Sequence, residues 1–342
     1  MQKTVSFSKD ASNLFFHILT TCNLFCKHCY INQAQHGSRM LPLEVAGEWL
    51  FLFAQRHPKT NLILLGGEPT LHPDLDKIIL KAHHLAYNSI TVDTNGYLFY
   101  DIIEKVAPEL VDYFSFSLDG ASANTNDRIR GKGSFVRCLE GIRKTVAKGF
   151  ATSLIFTVSR ANILDLEKMV PLLVELGIKR FFIQVLGIRG NSAKTAGADS
   201  DPAKQQITRS EWLSTIPRVA QAAAANGIRV TYPKVFLEND EVFECAGQVA
   251  DNYFVFPNGR VYRCPLCEDY PIHSLKIEDN ELMERPAINE KDLFPLAIAE
   301  GCVMNKIIQS ENLSYDANLH PQYKIACCML KEEVYPAGPL TH

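Results

Sequence analysis

No apolar run in this sequence approaches the ~18 to 20 residues that cross a bilayer. The nearest, Trp49 to Ala54 and Leu62 to Leu65, stop far short. A secretory signal is missing too: Met1 to Ala11 carries Lys3 and Lys9 with no apolar stretch behind them. Charge of one sign is also lacking. With 35 Lys and Arg against 38 Asp and Glu the net charge is -3, so no broad basic field exists to gather nucleic acid. There is no internal repeat and no low-complexity tract. A composition of 46% hydrophobic and 21% charged residues excludes a disordered or collagen-like chain. These absences predict a cytoplasmic enzyme-like protein with neither a nucleic-acid partner nor a membrane.

At 342 residues the chain exceeds the ~250 to 300 at which one hydrophobic core stops growing. A large domain with an appendage is therefore expected. What the sequence does have is ten cysteines. In a reducing compartment these favour metal or catalytic roles over disulfides.

Up to about residue 190 short β-prone runs alternate with segments of helical period, the pattern of repeated βα units. Expected strands are Leu14 to Thr20, Leu62 to Leu65, Ile90 to Thr94, Tyr113 to Leu118, Ser153 to Val158 and Phe181 to Leu186. Expected helices are Leu43 to Gln55 behind Pro42, Pro73 to Ala86, Tyr100 to Val106, Ser134 to Ala147 with Ser134 as N-cap, and Leu164 to Leu176. The Gly-, Ala- and Ser-rich stretch Gly187 to Gln206 reads as a linker. A helix Glu211 to Ala225 and a strand Gly227 to Thr231 follow it. From about Phe236 the texture changes: six of the ten cysteines lie there, with a hairpin Tyr253 to Cys264 turning at Pro257-Asn258-Gly259. The division predicted is 1–235 and 236–342.

Cys22-x-x-x-Cys26-x-x-Cys29, directly after the first strand, lets three thiolates converge from one loop, and sulfur selects zinc, copper(I) or an iron-sulfur cluster. Three ligands leave a coordination position open. A structural zinc site completed by His28 is the alternative on spacing alone.

With this trio the chain resembles the radical S-adenosylmethionine (radical SAM) enzymes, whose [4Fe-4S] cluster binds S-adenosylmethionine at its unique iron. The resemblance continues in order along the sequence. Gly66-Gly67-Glu68-Pro69 looks like the motif that holds the cofactor's methionine amino group. Asn95 in Thr94-Asn95-Gly96, and Ser117 and Asp119 in Ser117-Leu118-Asp119-Gly120, match strand-end positions lining the cofactor. Arg130 resembles the arginine that pairs with its carboxylate, with Arg128 as substitute, and Leu186 a position that contacts adenine. Cys245, thirteen residues, Gly259, four residues and Cys264 are similar to the opening of a SPASM or twitch auxiliary-cluster domain. That implies one auxiliary [4Fe-4S] cluster on Cys245, Cys264, Cys267 and Cys327, with Cys302 or Cys328 as substitutes. A zinc site there is the alternative.

The resemblance implies an α/β fold, a partial (β/α)6 TIM-like barrel with a C-terminal cysteine-rich auxiliary-cluster domain. It also implies reductive cleavage of S-adenosylmethionine to a 5′-deoxyadenosyl radical and hydrogen abstraction from a substrate. The first expectation is oxidative modification of a peptide or protein side chain; the second is a small-molecule precursor such as a sugar, tetrapyrrole or quinone. Electron supply implies a reductant such as flavodoxin or ferredoxin. Only 21 residues precede Cys22, too few for a leader-recognition domain at this end, so a separate peptide-recognition protein is a further expected partner. Outside this class stand a cysteine-rich zinc scaffold and an iron-sulfur electron carrier. No catalytic side chain is assigned. Cys138 falls on one helical stripe with Phe135, Leu139, Ile142 and Val146 and reads as core. His17, His57 and His83-His84 read as structural or exposed.

Overall fold

A computed structural model describes residues 1–194, 205–286 and 288–337. Half of the stretch read as a linker, residues 195–204, lies outside the described residues. The strands in chain order are β1 Gln2–Val5, β2 Ser12–His17, β3 Thr60–Leu65, β4 Ser89–Thr94, β5 Tyr113–Ser117, β6 Thr152–Val158, β7 Arg180–Val185, β8 Arg229–Pro233, β9 Phe236–Leu237, β10 Asp251–Val255, β11 Arg260–Tyr262, β12 Leu275–Glu278, β13 Glu281–Glu284, β14 Lys324–Ile325 and β15 Lys331–Val334.

The six expected strands are β2 to β7, each within three residues of its expected bounds, and they pair in chain order, all parallel. Helices Leu43–Ala54, Leu75–His84, Ser134–Ala147 and Leu166–Glu175 return the chain between them, as parallel pairing requires. Alternation along each strand separates two faces. Leu14, Phe16, Leu62, Leu64, Val92, Phe114, Phe116, Leu154, Phe156, Phe181 and Ile183 are buried against the helices. The opposite face, carrying Asn13, His17, Asn61, Leu65, Asp93, Ser115, Ser117 and Thr157, lines the inside of the partial barrel.

The C-terminal third is not set apart from this sheet. β10 pairs parallel with β2, in register Tyr253 with Leu14 and Val255 with Phe16. β8 extends the other side, parallel to β7. Antiparallel β15 and β1 follow β8, and β11, β12 and β13 follow β10, giving one sheet of thirteen strands. The hairpin of β10 and β11 forms as expected. Its pairing to β2 has no local signal in the sequence. The main apolar core likewise runs from Leu14 to Tyr253, Val261, Ile325 and Val334.

Two local expectations are corrected. Ser134 is the first helical residue, not the N-cap; Gly133, at φ +82°, caps the helix. The Asp127 carboxylate does the capping work, accepting from the backbone N–H of Gly133 (2.6 Å) and Phe135 (2.9 Å) and from the Ser134 hydroxyl. The helix expected over Tyr100 to Val106 shrinks to Ile102–Lys105, because Tyr100 and Asp101 both take positive φ.

Candidate active site

The chain after β2 crosses the C-terminal strand ends as an irregular loop, and the turn after β3 clasps it. The backbone N–H of Gly67 donates to the Leu19 carbonyl and that of Glu68 to the Thr21 carbonyl. The two turns meet so closely that a side chain at Gly67 would collide with the Thr21 carbonyl. The glycines thus serve the approach of two backbones as well as any approach to a ligand.

Glu68 is 1% exposed. Its Oε1 accepts from the Thr70 amide (3.1 Å), the Thr70 hydroxyl (2.6 Å) and the Thr94 hydroxyl (2.8 Å), and its Oε2 from the Asn95 amide (2.7 Å). The carboxylate ties the end of β3 to the end of β4. Burial pushes its pKa up and these four donors oppose the rise. One acceptor site on Oε2 remains for a ligand ammonium. Pro69 is buried and opens the one-turn helix that follows.

Asn95 reaches across to the cysteine loop, donating through Nδ2 to the Asn23 side chain at 2.8 Å and lying 3.8 Å from Cys22 Sγ. Cys22 and Cys26 feel each other or Cys29 electrostatically, so the loop gathers the three thiols. Burial raises Cys22 to about 12. Burial also raises Cys26, opposed by Arg130. Among the described residues no three His, Cys, Asp or Glu side chains stand at the spacing of a single ion; the fold supplies the approach of the thiols, not a closed coordination shell.

Beside Cys26 sits a buried charged group. Asp119, fully buried, accepts from the Thr157 amide through Oδ1 at 2.7 Å. Its Oδ2 lies 2.6 Å from Arg130 Nε and 3.2 Å from His28 Nε2. These contacts are close yet poorly aligned: Asp119 Oδ2 and Arg130 Nε have no hydrogen-bond partner of proper geometry, and the other ring nitrogen of His28, Nδ1, is buried without a partner. Arg130 Nη1 lies 4.0 Å from Cys26 Sγ. Arg130 therefore pairs with Asp119 rather than standing free for a carboxylate, which then has only the outer guanidinium N–H groups to meet. Arg128 has no place in this group.

Ser117 ends β5 half-buried, its carbonyl 3.6 Å from the Cys138 thiol. Cys138, 1% exposed, is core as expected, and packs directly under Gly96. Leu186 follows β7 and is 3% exposed; its carbonyl is taken by the side-chain amides of Gln206 and Gln309. Its carbonyl is therefore committed within the fold. The spare acceptor site on Glu68, the outer N–H groups of Arg130 and the three neighbouring thiols fit a cluster with a bound amino-acid group.

The six later cysteines also come together. Cys245 feels Cys327 and Cys264, Cys302 feels Cys327, Cys264 and Cys245, and Cys267 feels Cys302 and Cys328. The preferred four and both substitutes thus share one place. The Cys328 thiol bonds to Cys327, holding Cys327 down and itself up. Glu290 braces the site, accepting from the amides of Arg263 (2.7 Å) and Cys264 (2.9 Å) and from the Ser274 hydroxyl (2.6 Å).

Four residues join the two cysteine groups: His17, read from the sequence as structural or exposed, and Tyr30, Arg189 and Glu268, which sequence reading passed over. Tyr30, next to Cys29, shares a 2.7 Å hydrogen bond with His17 Nε2, and His17 Nδ1 bonds the Val255 carbonyl at 2.9 Å. His17 is thus a buried link. Arg189 lies over the Tyr30 ring at 4.8 Å and meets Glu268, beside Cys267, at 3.1 Å. None has a spacing signature; only Tyr30 and Glu268, each adjacent to a cysteine, could have been guessed.

The family model described as Radical SAM superfamily matches residues 17–173. Pre-heme d1 synthase of Dinoroseobacter shibae is 30% identical over 223 residues, 63% of this chain and 52% of that protein. The probable GTP 3',8-cyclase of Saccharolobus solfataricus is 29% identical over 181 residues, 52% of this chain and 58% of that protein. The chain thus spans little more than half the length of these relatives. Among solved structures, Streptococcus suis SuiB bound to S-adenosylmethionine superposes with a TM-score of 0.64 at 13% identity, over 88% of this chain and 74% of SuiB. Native anSMEcpe with bound AdoMet gives 0.60 at 15% identity, over 87% and 88%. At such identities the likeness is one of fold. No helix among the described residues is long and apolar enough to cross a membrane.

Proposed function

We propose that this chain, whose residues 17–173 match the Radical SAM superfamily model, is an enzyme of that kind, using a [4Fe-4S] cluster and S-adenosylmethionine, and that it abstracts a hydrogen atom from a substrate held at the C-terminal mouth of its barrel, with an oxidative outcome. When bound, the cluster and cofactor supply the electron and the 5′-deoxyadenosyl radical. The observation that carries the reading is the convergence of Cys22, Cys26 and Cys29 beside the Asp119–Arg130 pair and the Glu68–Asn95 clasp.

In this proposal Cys22, Cys26 and Cys29 hold the cluster. The turn Gly66 to Pro69 receives the cofactor's amino group, and Arg130, oriented by Asp119, its carboxylate. Asn95, Ser117 and Leu186 complete the wall. Four of Cys245, Cys264, Cys267, Cys302, Cys327 and Cys328 hold an auxiliary cluster, which accepts the electron left on the substrate. Their gathering supports that role. Residues 236–342 form the auxiliary unit, and a flavodoxin or ferredoxin serves as donor.

A peptide or protein side chain is the first substrate reading, resting on the resemblance of the Ser117 and Arg130 neighbourhood to peptide-modifying enzymes; a separate recognition protein would present it. A small-molecule precursor is the second, favoured by the names of the relatives at 29% and 30% identity, a pre-heme d1 synthase and a GTP cyclase.

The test is anaerobic reconstitution with iron and sulfide, counting iron while assaying 5′-deoxyadenosine under a strong reductant. The Cys22→Ala, Cys26→Ala, Cys29→Ala triple variant should lose deoxyadenosine and about half its iron. Tight zinc in place of iron, with no deoxyadenosine from the wild type, would sink the reading. Deoxyadenosine yield against a peptide panel, GTP and a tetrapyrrole then sorts the substrate classes.

A further inference from the structure

The barrel interior carries a carboxylate that none of the assigned cofactor contacts employs. On β4, Ile90, Val92 and Thr94 are buried away from the barrel interior, so Asp93 between them points inward. By strand register its row across the barrel is His17, Leu65, Asp93, Ser115, Ser153, Arg180 and Arg229, the two arginines lying three and four strands away from Asp93. Asp93 keeps some solvent access while its outward neighbours have almost none. It lies two residues below Asn95, about 7 Å along the strand, beneath the strand ends that form the candidate cofactor site.

Among the described residues, the groups that act on Asp93 include no cation. The Ser115 hydroxyl bonds it, and the nearest ionisable group from the β3 side is another acid, Glu68. Tyr30 of the cysteine loop is within its field, and His17 of the same row is held neutral by burial, its pKa lowered to about 3. The two arginines of the row are engaged elsewhere: Arg229 meets Glu333 at 2.7 Å, and Arg180 lies 4.1 Å over the Tyr113 ring. A buried carboxylate left without a cation is costly, and such groups cluster where a ligand completes them.

The geometry points to Asp93 as the floor of the substrate site, an anchor for a cationic N–H group such as a guanidinium or ammonium. The inference rests on the radical SAM reading, which supplies the strand ends above it. Burial pushes the Asp93 carboxyl up to about 7, so a cation that binds it also draws off its proton near neutrality. Ser115, as the donor to the charged form, sets where that happens.

The probe is methylguanidinium, titrated calorimetrically into the reconstituted full chain with S-adenosylmethionine present; uncharged N-methylurea is the shape control. The expected result is a dissociation constant on the order of 1 mM that tightens between about pH 6 and pH 8, with weaker N-methylurea binding. Asp93→Asn should weaken methylguanidinium by about tenfold or more and flatten the pH profile. Ser115→Ala should move the midpoint to higher pH, which a packing role would not do. Iron content and melting temperature report whether each variant is folded. No binding, or binding that Asp93→Asn leaves intact or that N-methylurea equals, overturns the anchor. Deoxyadenosine formation by the wild-type protein is measured on the same preparation: its absence defeats the radical reading and the anchor with it, while its presence with an indifferent Asp93→Asn defeats the anchor alone.

Discussion

Asp93 makes a prediction about stability that is separate from what it binds. Its pKa in the folded chain, about 7, exceeds the ~3.9 of an unfolded Asp. The native state therefore holds a proton that the unfolded chain releases between those values, and native stability falls as pH rises from about 4 through about 7. Asp93→Asn removes that loss. The variant should melt near the wild type at pH 4 and above it, by roughly 2 °C or more, at pH 8. Equal melting temperatures at both pH values would mean the carboxylate is well solvated. The cysteine thiols carry a second pH dependence. Burial raises Cys22 to about 12 and raises Cys26, so a cluster must displace protons to form. Iron uptake measured by absorbance should speed up as pH rises from 7 to 9. A pH-independent rate would mean the thiols ionise readily before iron arrives.

Secondary elements are held at the site by small polar clasps, and these can be broken one at a time. Asp127 joins the end of the helix Ala123–Arg130 to the start of Ser134–Ala147. Burial alone would raise its pKa, but hydrogen bonds from Phe135, Gly133, Asn126 and Ser134 hold it below the usual carboxylate range. Its support is present above about pH 4 and fades as pH falls through that lowered pKa. Asp127→Ala should cost about 1 kcal/mol by denaturant titration at pH 7, and the cost should shrink in acid. A cost unchanged by pH would show that packing, not charge, was lost. Legibility in the sequence follows the same physics. The six barrel strands could be read because apolar alternation is a local signal, and the cysteine trio because ligands on one loop keep a fixed spacing. The helix Ser134–Ala147 has the expected bounds, but the capping role expected of Ser134 falls to a carboxylate of the preceding helix, Asp127. Asp93, His17 and Arg189 carry no motif; the fold alone brings them to the site.

Across the whole molecule, the change of texture near residue 236 marks where cysteines concentrate but not where the sheet ends. Turn and hairpin signals identify β10 and β11, yet nothing local says that β10 lies beside β2, more than two hundred residues earlier. The physical consequence is that the C-terminal third closes both flanks of the barrel. β10 covers the edge of β2, and β15 lies between β8 and β1. Tyr253, Val255, Ile277, Ile325 and Val334 sit in the same core cluster as Leu14 and Phe16. A chain cut after Lys234 would leave β2 and β8 as open edges and uncover that apolar surface, an invitation to edge pairing and aggregation. The full chain, kept reduced and metal-free, should therefore unfold in one calorimetric transition, and residues 1–234 alone should yield no soluble monomer with a cooperative melt. Two separated transitions, or a well-folded 1–234 fragment, would instead make the cysteine-rich third an independent domain that merely rests against the barrel.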